Sequence, residues 1–452
     1  MRSTAGNLWA RFPKTLAVIL LLFVVSAVVC SKYITSNRLG YPPMRSDGFG
    51  YYAYLTSIFV DHNLSFHTAL ANMAPGEPMG NYGFNIFPGT GHIFDKYTSG
   101  VALLQLPFFL VAHAAAHLLG YDVHGYSTPY QVGVLAATTT YAVIGLIFTY
   151  KLVTSYFAKL PALLTIVCLV LGTNLFHYTT YDASFSHIYS FCLVAVFAYL
   201  VLGRKELTKT TSLLAGIALG LVVLTRVPNA ILVLLYVWKL AALLWQGRRH
   251  SVRPVSINAG IFAVSALAAF SPQIVYWYHV TGQLFLYSYQ NEKFNFSHPE
   301  LLNYLFSVNK GLFFWSPVLL LAVVGLVMAA RGVHRLALDR GLGFVAPVSI
   351  VIALNIYVCS SWWAWDYAGS YACRPVVDVL SLYMLPIAAF FSVLVKKKAV
   401  VWIPVGLVLL ALFASNISLM YAYWRGFIPF DGTTLGILRK VPRKLLAALA
   451  GH

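Results

Sequence analysis

The chain has 452 residues, is 59% hydrophobic and only 10% charged, and carries a formal net charge of +18 with a mean hydropathy of +0.74. Apolar runs recur at about the 20 residues a helix needs to cross about 30 Å of hydrocarbon, which excludes a soluble globular domain and defines an all-α polytopic membrane protein. The positive charge does not imply a nucleic-acid partner, because lysines and arginines fall in short clusters between the apolar runs, as cytoplasmic loops do.

In chain order, the first run, Thr15 to Cys30, follows Arg2, Arg11 and Lys14. No small-x-small cleavage site leading into a soluble domain comes after it, so it reads as a retained first span rather than a signal peptide. With the N-terminus inside, eleven spans are expected at roughly 15–34, 129–150, 160–177, 187–203, 211–225, 227–245, 255–279, 311–330, 343–359, 376–395 and 399–421. The clusters Lys151 and Lys159, Arg204 to Lys209, Arg248 to Arg253, Arg331 to Arg340 and Lys396 to Lys398 then all lie inside. Of the 13 acids, only Glu206 and Asp339 join them; Asp47, Asp61, Glu77, Asp95, Asp122, Asp182, Glu292, Glu300, Asp366, Asp378 and Asp431 fall on or near the outer side. Acids are not governed by the positive-inside rule, so the skew places the polar chemistry outside.

The outer side consists of a large first loop (35–128), a second loop (281–310), a third segment (360–374) and a basic C-terminal tail (422–452), all within one domain of 1–452. Inside the first loop, Ser99 to Gly120 is apolar but contains Gln105, Pro107, His113 and His117. It is expected to lie in the outer interface; the alternative, a true span, would invert everything after it. The tail sequence "LRKVPRKLLAALAGH" is outside by this count, against the charge rule, so either it lies on the membrane surface or one span is miscounted.

Asp47 stands in "SDGFGYY", where Gly48 and Gly50 allow a close backbone approach and Tyr51 and Tyr52 offer sugar-binding faces. The plain alternative is a solvated loop acid, as Asp61 in "VDHNLS" is expected to be. Arg226 in "TRVPN" interrupts an apolar context, which marks either an anion site or a helix-end residue reaching headgroups. Lys310 in "VNKGLFFWSP" and Arg374 in "YACRPVVDVL" carry the same pair of readings. Asp182 in "HYTTYDASFSHIYS" lies in a short outer turn, where helix capping by serine is the alternative to a site role. The five scattered cysteines form no metal pattern, although Cys359 and Cys373 flank one outer segment and could pair. With no HExxH, Cys/His spacing or P-loop present, any metal would be carboxylate-bound Mg²⁺ or Mn²⁺, with few protein ligands.

An acid soon after the first helix in an Asp-Gly-x-x-Tyr-Tyr type context, followed by "FDKYTSGVALLQLPFFLVAH" (Phe94 to His113), resembles the GT-C superfamily of integral-membrane glycosyltransferases, which includes protein O-mannosyltransferases and the lipid A aminoarabinose transferase. The likeness is fullest over the first 230 residues and continues through "KGLFFWSP" and "SWWAWDYAGSYACRPVVDVL"; "DKYTSG" takes the place of the family's proline-containing element. The resemblance implies a sugar transferred from a polyprenyl-phosphate donor to an acceptor hydroxyl on a lipid, glycan or protein, with inversion, at the outer face of a bacterial plasma membrane. It makes Asp47 the general base with Asp182 beside it, Lys96, Arg226, Lys310 and Arg374 the phosphate ligands, and Tyr51, Tyr52, Asp95, His187, Trp363 and Asp366 the sugar and acceptor contacts. A transporter or flippase of lipid-linked sugars is the alternative, but it should show paired repeats and polar residues in mid-helix, and no convincing repeat is found.

Overall fold

The computed structural model describes residues 13–33, 42–245, 252–331 and 343–450. Among them the chain is almost entirely helical, with one two-stranded hairpin, and seven helices are long and apolar enough to cross a membrane: Lys14–Tyr33, Gly100–Leu119, Thr128–Thr154, Val227–Trp245, Pro254–Thr281, Arg374–Leu394 and Ala399–Trp424. Five shorter apolar helices, Lys159–Gly172, His187–Val201, Lys209–Thr225, Pro317–Ala330 and Val345–Ser360, accompany them. Setting Gly100–Leu119 aside, these match the eleven expected spans one for one, and the protein is an all-α, multi-pass integral membrane protein. Asp339 and most of the Arg331 to Arg340 and Arg248 to Arg253 clusters lie outside the described residues.

Polar residues enter the spans where their hydrogen bonds close locally. In Thr128–Thr154, the hydroxyls of Thr138, Thr139, Thr140 and Thr149 each return to the carbonyl four residues earlier at 2.8–2.9 Å, so these four need no partner from lipid. Between Lys209–Thr225 and Val252–Thr281, Gly216 and Gly220 lie against the Phe262 and Ala266 carbonyls, where any Cβ would clash; small residues at such a seam let two helices pack backbone to backbone. The helix Arg374–Leu394 is buried along nearly its whole length and forms the centre of the bundle. At one end of the bundle Lys239 donates to the Arg204 carbonyl (2.8 Å) and Asn258 to that of Leu207 (2.7 Å), which places the basic loop 203–208 there.

The first outer loop builds a layer at the other end. Its centre is the helix Ser46–Phe59. Tyr54 donates to the Tyr97 carbonyl (2.6 Å), just before Gly100–Leu119, and Tyr52 donates to the Gly125 carbonyl (2.8 Å), just after it. Twenty helical residues extend about 30 Å, yet the chain on both flanks returns to neighbouring tyrosines of one helix. Both flanks of Gly100–Leu119 are thus tied to the one helix Ser46–Phe59. The hairpin pairs β1 (Phe84–Ile86) antiparallel to β2 (Ile93–Asp95), with Phe84 opposite Asp95. Gly83 enters it at φ +96, a backbone conformation that a side chain would strain, and a Cβ there would strike the Tyr97 ring.

Candidate active site

Asp47 occupies the first turn of Ser46–Phe59, where the helix dipole favours a carboxylate. Gly48 and Gly50 do not approach a ligand, as the sequence led us to expect; they seat this helix against Ser184, the Tyr82 carbonyl and the Tyr97 ring. Asp47 Oδ2 pairs with Arg374 Nη1 at 3.0 Å and Oδ1 accepts the Tyr97 hydroxyl at 2.8 Å, leaving the side chain 23% exposed. Burial pushes the carboxyl up, but the Arg374 guanidinium and the Tyr97 hydroxyl outweigh it and hold Asp47 below the usual carboxylate value. It is ionised at neutral pH.

Asp47 opens onto a cavity of about 210 Å³ that also exposes Tyr51, Lys96, Arg226 and Arg374. Three separate stretches of outer sequence therefore converge with the first loop. Lys96 pairs with Glu292 at 2.6 Å and lies between the Tyr97 and Tyr289 rings. Arg226 donates from Nε to Asp378 Oδ2 at 3.0 Å, and Asp378 also takes His187 Nδ1 (2.8 Å) and Asn229 Nδ2 (2.9 Å). Arg374 lies over the Phe185 and Tyr367 rings, and its buried Nε has no hydrogen-bond partner among the described residues. Three cations thus share one cavity with two carboxylates, Asp47 and Glu292. Each cation has its own carboxylate, Arg226 through Asp378 behind the wall, so an incoming anion has to draw a cation away from its partner.

Other expected site residues lie elsewhere. Lys310 is 3% exposed and its ammonium donates to the carbonyls of Ala368, Ser370 and Phe430, each at 2.6 Å. Three carbonyls use all three of its N–H groups, so Lys310 ties loops together and has none left for a phosphate. Asp182 is buried against Arg45 (2.6 Å) and His177 (2.7 Å), away from the cavity wall. His177 in turn accepts the Trp424 indole N–H on Nδ1 (2.9 Å), so its proton sits on Nε2 and points at Asp182. Tyr52 is buried on the far face of its helix, and His187 lies behind Arg226 rather than on the wall. Asp95 is fully buried; its Oδ1 accepts the Tyr97 N–H (2.9 Å), and burial holds its carboxyl well above the usual value. It positions Tyr97. Trp363 is 62% exposed, and its neighbour Trp362 lines the cavity instead. Asp366 caps its own loop through the Ala368 N–H and holds Asn309 (2.9 Å).

Sequence reasoning missed Tyr97, Tyr289, Glu292, Trp362, Tyr367 and Trp277 of the wall, and Asp378 behind it. The signal for Asp378 was present: an acid four residues beyond Arg374, in a run that becomes a span. For a divalent metal, each oxygen of Asp47 and Asp182 already meets a donor. Among the described residues no three His, Cys, Asp or Glu converge. As placed, these residues do not make a metal's ligand set. All five cysteines are free thiols, Cys359 and Cys373 included.

No protein-family model matches the chain, and the curated proteins compared with it include no match. Among solved structures, the chain is similar to ArnT from Cupriavidus metallidurans bound to undecaprenyl phosphate, at 13% identity and a TM-score of 0.49 over 87% of this chain and 63% of that one. It is also similar to the archaeal oligosaccharyltransferase AglB from Archaeoglobus fulgidus, in complex with an inhibitory peptide and a dolichol phosphate, at 13% identity and a TM-score of 0.42 over 99% of this chain and 55% of that one. The chain therefore spans less than two thirds of the length of either. Identities this low concern the course of the chain alone.

Proposed function

We propose that this protein is an integral-membrane glycosyltransferase that moves a sugar from a polyprenyl-phosphate donor to an acceptor hydroxyl at the outer face of a bacterial plasma membrane, with inversion. The observation that carries the reading is the meeting of Asp47 with three cations, Lys96, Arg226 and Arg374, and the acid Glu292 in one tyrosine-walled cavity. Solvated loop charges have no reason to converge from three stretches of chain. A donor of this class also needs a place for its tail. An almost wholly apolar groove runs along Lys209–Thr225 and Val252–Thr281, past Leu213, Ile217, Leu221, Ile261, Val264 and Pro272. The outer ends of the same two helices supply Thr225 and Trp277 to the cavity. A tail in the groove delivers its phosphate to Arg226.

In this reading Asp47 accepts the proton of the acceptor hydroxyl as its oxygen bonds to the anomeric carbon from the face opposite the phosphate. The bond from that carbon to the phosphate oxygen breaks, and the leaving phosphate takes the electron pair. Charge growing on phosphate is stabilised by Arg226 and Arg374, and Lys96 completes the cluster. Drawing the Arg374 guanidinium toward phosphate frees Asp47 Oδ2 for the acceptor and makes it a stronger base when the donor is seated. Tyr97 keeps the other oxygen in place. No metal enters this scheme.

The test is single-turnover transfer by the purified chain in lipid, supplied with polyprenyl-phosphate sugars, beside a comparison of lipid-linked sugar pools in cells with and without the gene. Transfer that consumes the donor and depends on Asp47 supports the reading. Unchanged donor pools together with movement of intact lipid-linked sugar between leaflets would replace it with transport.

A further inference from the structure

The helix Leu435–Ala450 follows the span Ala399–Trp424 through the connection 425–434. That connection is pinned to the cavity's side: the Phe430 carbonyl accepts Lys310 Nζ (2.6 Å) and the Ser370 N–H (3.3 Å), and the Thr433 N–H donates to Asn309 Oδ1 (2.9 Å). The basic tail therefore lies on the side of Asp47, as the span count has it. The helix is not a loop in water either. Val441 is buried, and Leu438 and Leu445 pack with it against Trp424 and Phe427.

The remaining circumference has a definite order. At 100° per residue, Leu435, Pro442 and Leu446 form one edge, Arg439 adjoins it, and Arg443 and Lys440 follow. Leu435 is 51% and Leu446 67% exposed, and all four basic residues, Lys444 included, are exposed. The helix contains no acid, and among the described residues none of the four cations has an ion-pair partner. A protein partner would need a matching acidic face, and a second copy of this chain, itself at +18, would bring cations against cations. An anionic membrane surface supplies both what the apolar edge and what the basic stripe require.

We propose that Leu435–Ala450 is a docking surface for anionic lipids, its Leu435, Pro442 and Leu446 edge set at the acyl boundary and Arg439, Lys440, Arg443 and Lys444 gathering phosphate-bearing headgroups of the leaflet on the cavity's side. The surface stands on helix geometry and charge alone, so it holds whatever reaction the cavity performs.

The experiment uses the full chain in nanodiscs, with and without phosphatidylglycerol in a phosphatidylcholine bilayer. Leu446→Cys carries an environment-sensitive fluorophore, and the half-buried Cys30 is replaced by serine; the other four thiols are buried. Phosphatidylglycerol is expected to bring the fluorophore within reach of nitroxide-labelled acyl chains, and salt to weaken the effect. Retention of phosphatidylglycerol by the purified chain, weighed by native mass spectrometry, should fall at least about fivefold in R439Q/K440Q/R443Q, whereas K396Q/K397Q/K398Q at the opposite end leaves it unchanged. Identical quenching in the two bilayers, or full lipid retention by R439Q/K440Q/R443Q, overturns the proposal. So does energy transfer between labelled chains that rises with chain density at fixed lipid, which would assign the face to a second copy.

Discussion

Asp47 and Asp182 lie at the same end of the helix bundle, and each has an arginine within 3.0 Å. They differ in what surrounds the pair. Asp182 is enclosed: Arg45, His177 and, behind it, Trp424 saturate every polar atom, and Arg45 is itself stacked on the Tyr181 ring at 4.1 Å. Asp47 faces open volume, and its arginine has two further cations nearby in the same wall. A closed ion pair holds structure, while a pair that opens onto a cavity can exchange its partner for a ligand. Charge, side and arginine are common to both, so the distinction is one of access and saturation.

The sharpest way to break that contrast is Asp47→Asn. It keeps size and the Tyr97 contact but removes the proton acceptor, so transfer should fall at least about 100-fold while the chain still inserts and binds donor; near-normal single-turnover rates would remove Asp47 from the chemistry. Arg226→Gln and Arg374→Gln are expected to cost about tenfold each, less than a lone stabilising donor would, because two cations remain. Arg374→Gln has a second signature. Arg374 lowers the Asp47 pKa in the free chain, so wild-type kcat/KM, which reports the free enzyme, fails only as pH falls through that depressed value; without Arg374 the acid limb of the kcat/KM profile should move to higher pH. A limb that stays put separates Arg374 from Asp47.

Asp182→Asn tests the closed pair. It removes the carboxylate that faces Arg45, and unfolding should become easier by up to about 3 kcal/mol, the low end for a broken buried pair because Arg45 keeps 19% exposure and its contacts with Tyr181. Transfer per folded molecule should hold. The Asp182 carboxyl is lifted by burial but held lower still by Arg45 and His177, well below its ordinary value. Its stabilisation is therefore complete above the unfolded pKa and lost as pH falls through the folded one, so the wild-type advantage over Asp182→Asn should shrink below about pH 4. Lys310→Gln should likewise lower thermal stability without raising the donor KM, since Lys310 serves three carbonyls. Weaker donor use at unchanged stability would return it to the site.

Asp61→Asn should have the smallest effect. Asp61 is not simply solvated: its carboxylate accepts the Thr68 N–H and hydroxyl at the start of the helix His67–Ala71. Asparagine keeps one such acceptor, so stability should change by no more than about 1 kcal/mol and transfer should stay at the wild-type rate. Equal loss in Asp61→Asn and Asp47→Asn would indicate that the loop, not the base, had been disturbed.

Much of this site was legible because the chain has few charges. In an apolar context Asp47, Lys96, Arg226 and Arg374 each stood out, and all four reached one cavity. Side-chain direction was not legible. Trp362 and Trp363 are adjacent and identical in type, and a bridge between Phe294 and Trp362 decides which one turns inward. Tyr367 reaches the wall from a residue at φ +58, a local conformation that no periodicity encodes.

The sequence by itself determined the class and the eleven apolar helices, because these follow from hydropathy run lengths, which are local sums along the chain. Only the tertiary structure decided which carboxylate is open and which is closed, that Lys310 is a tie between loops, and that the C-terminal helix lies on the side of Asp47. Each of these depends on contacts between residues far apart in sequence, such as Asp47 with Arg374 or Lys310 with Phe430. Helix packing sets those contacts, and no local pattern carries them.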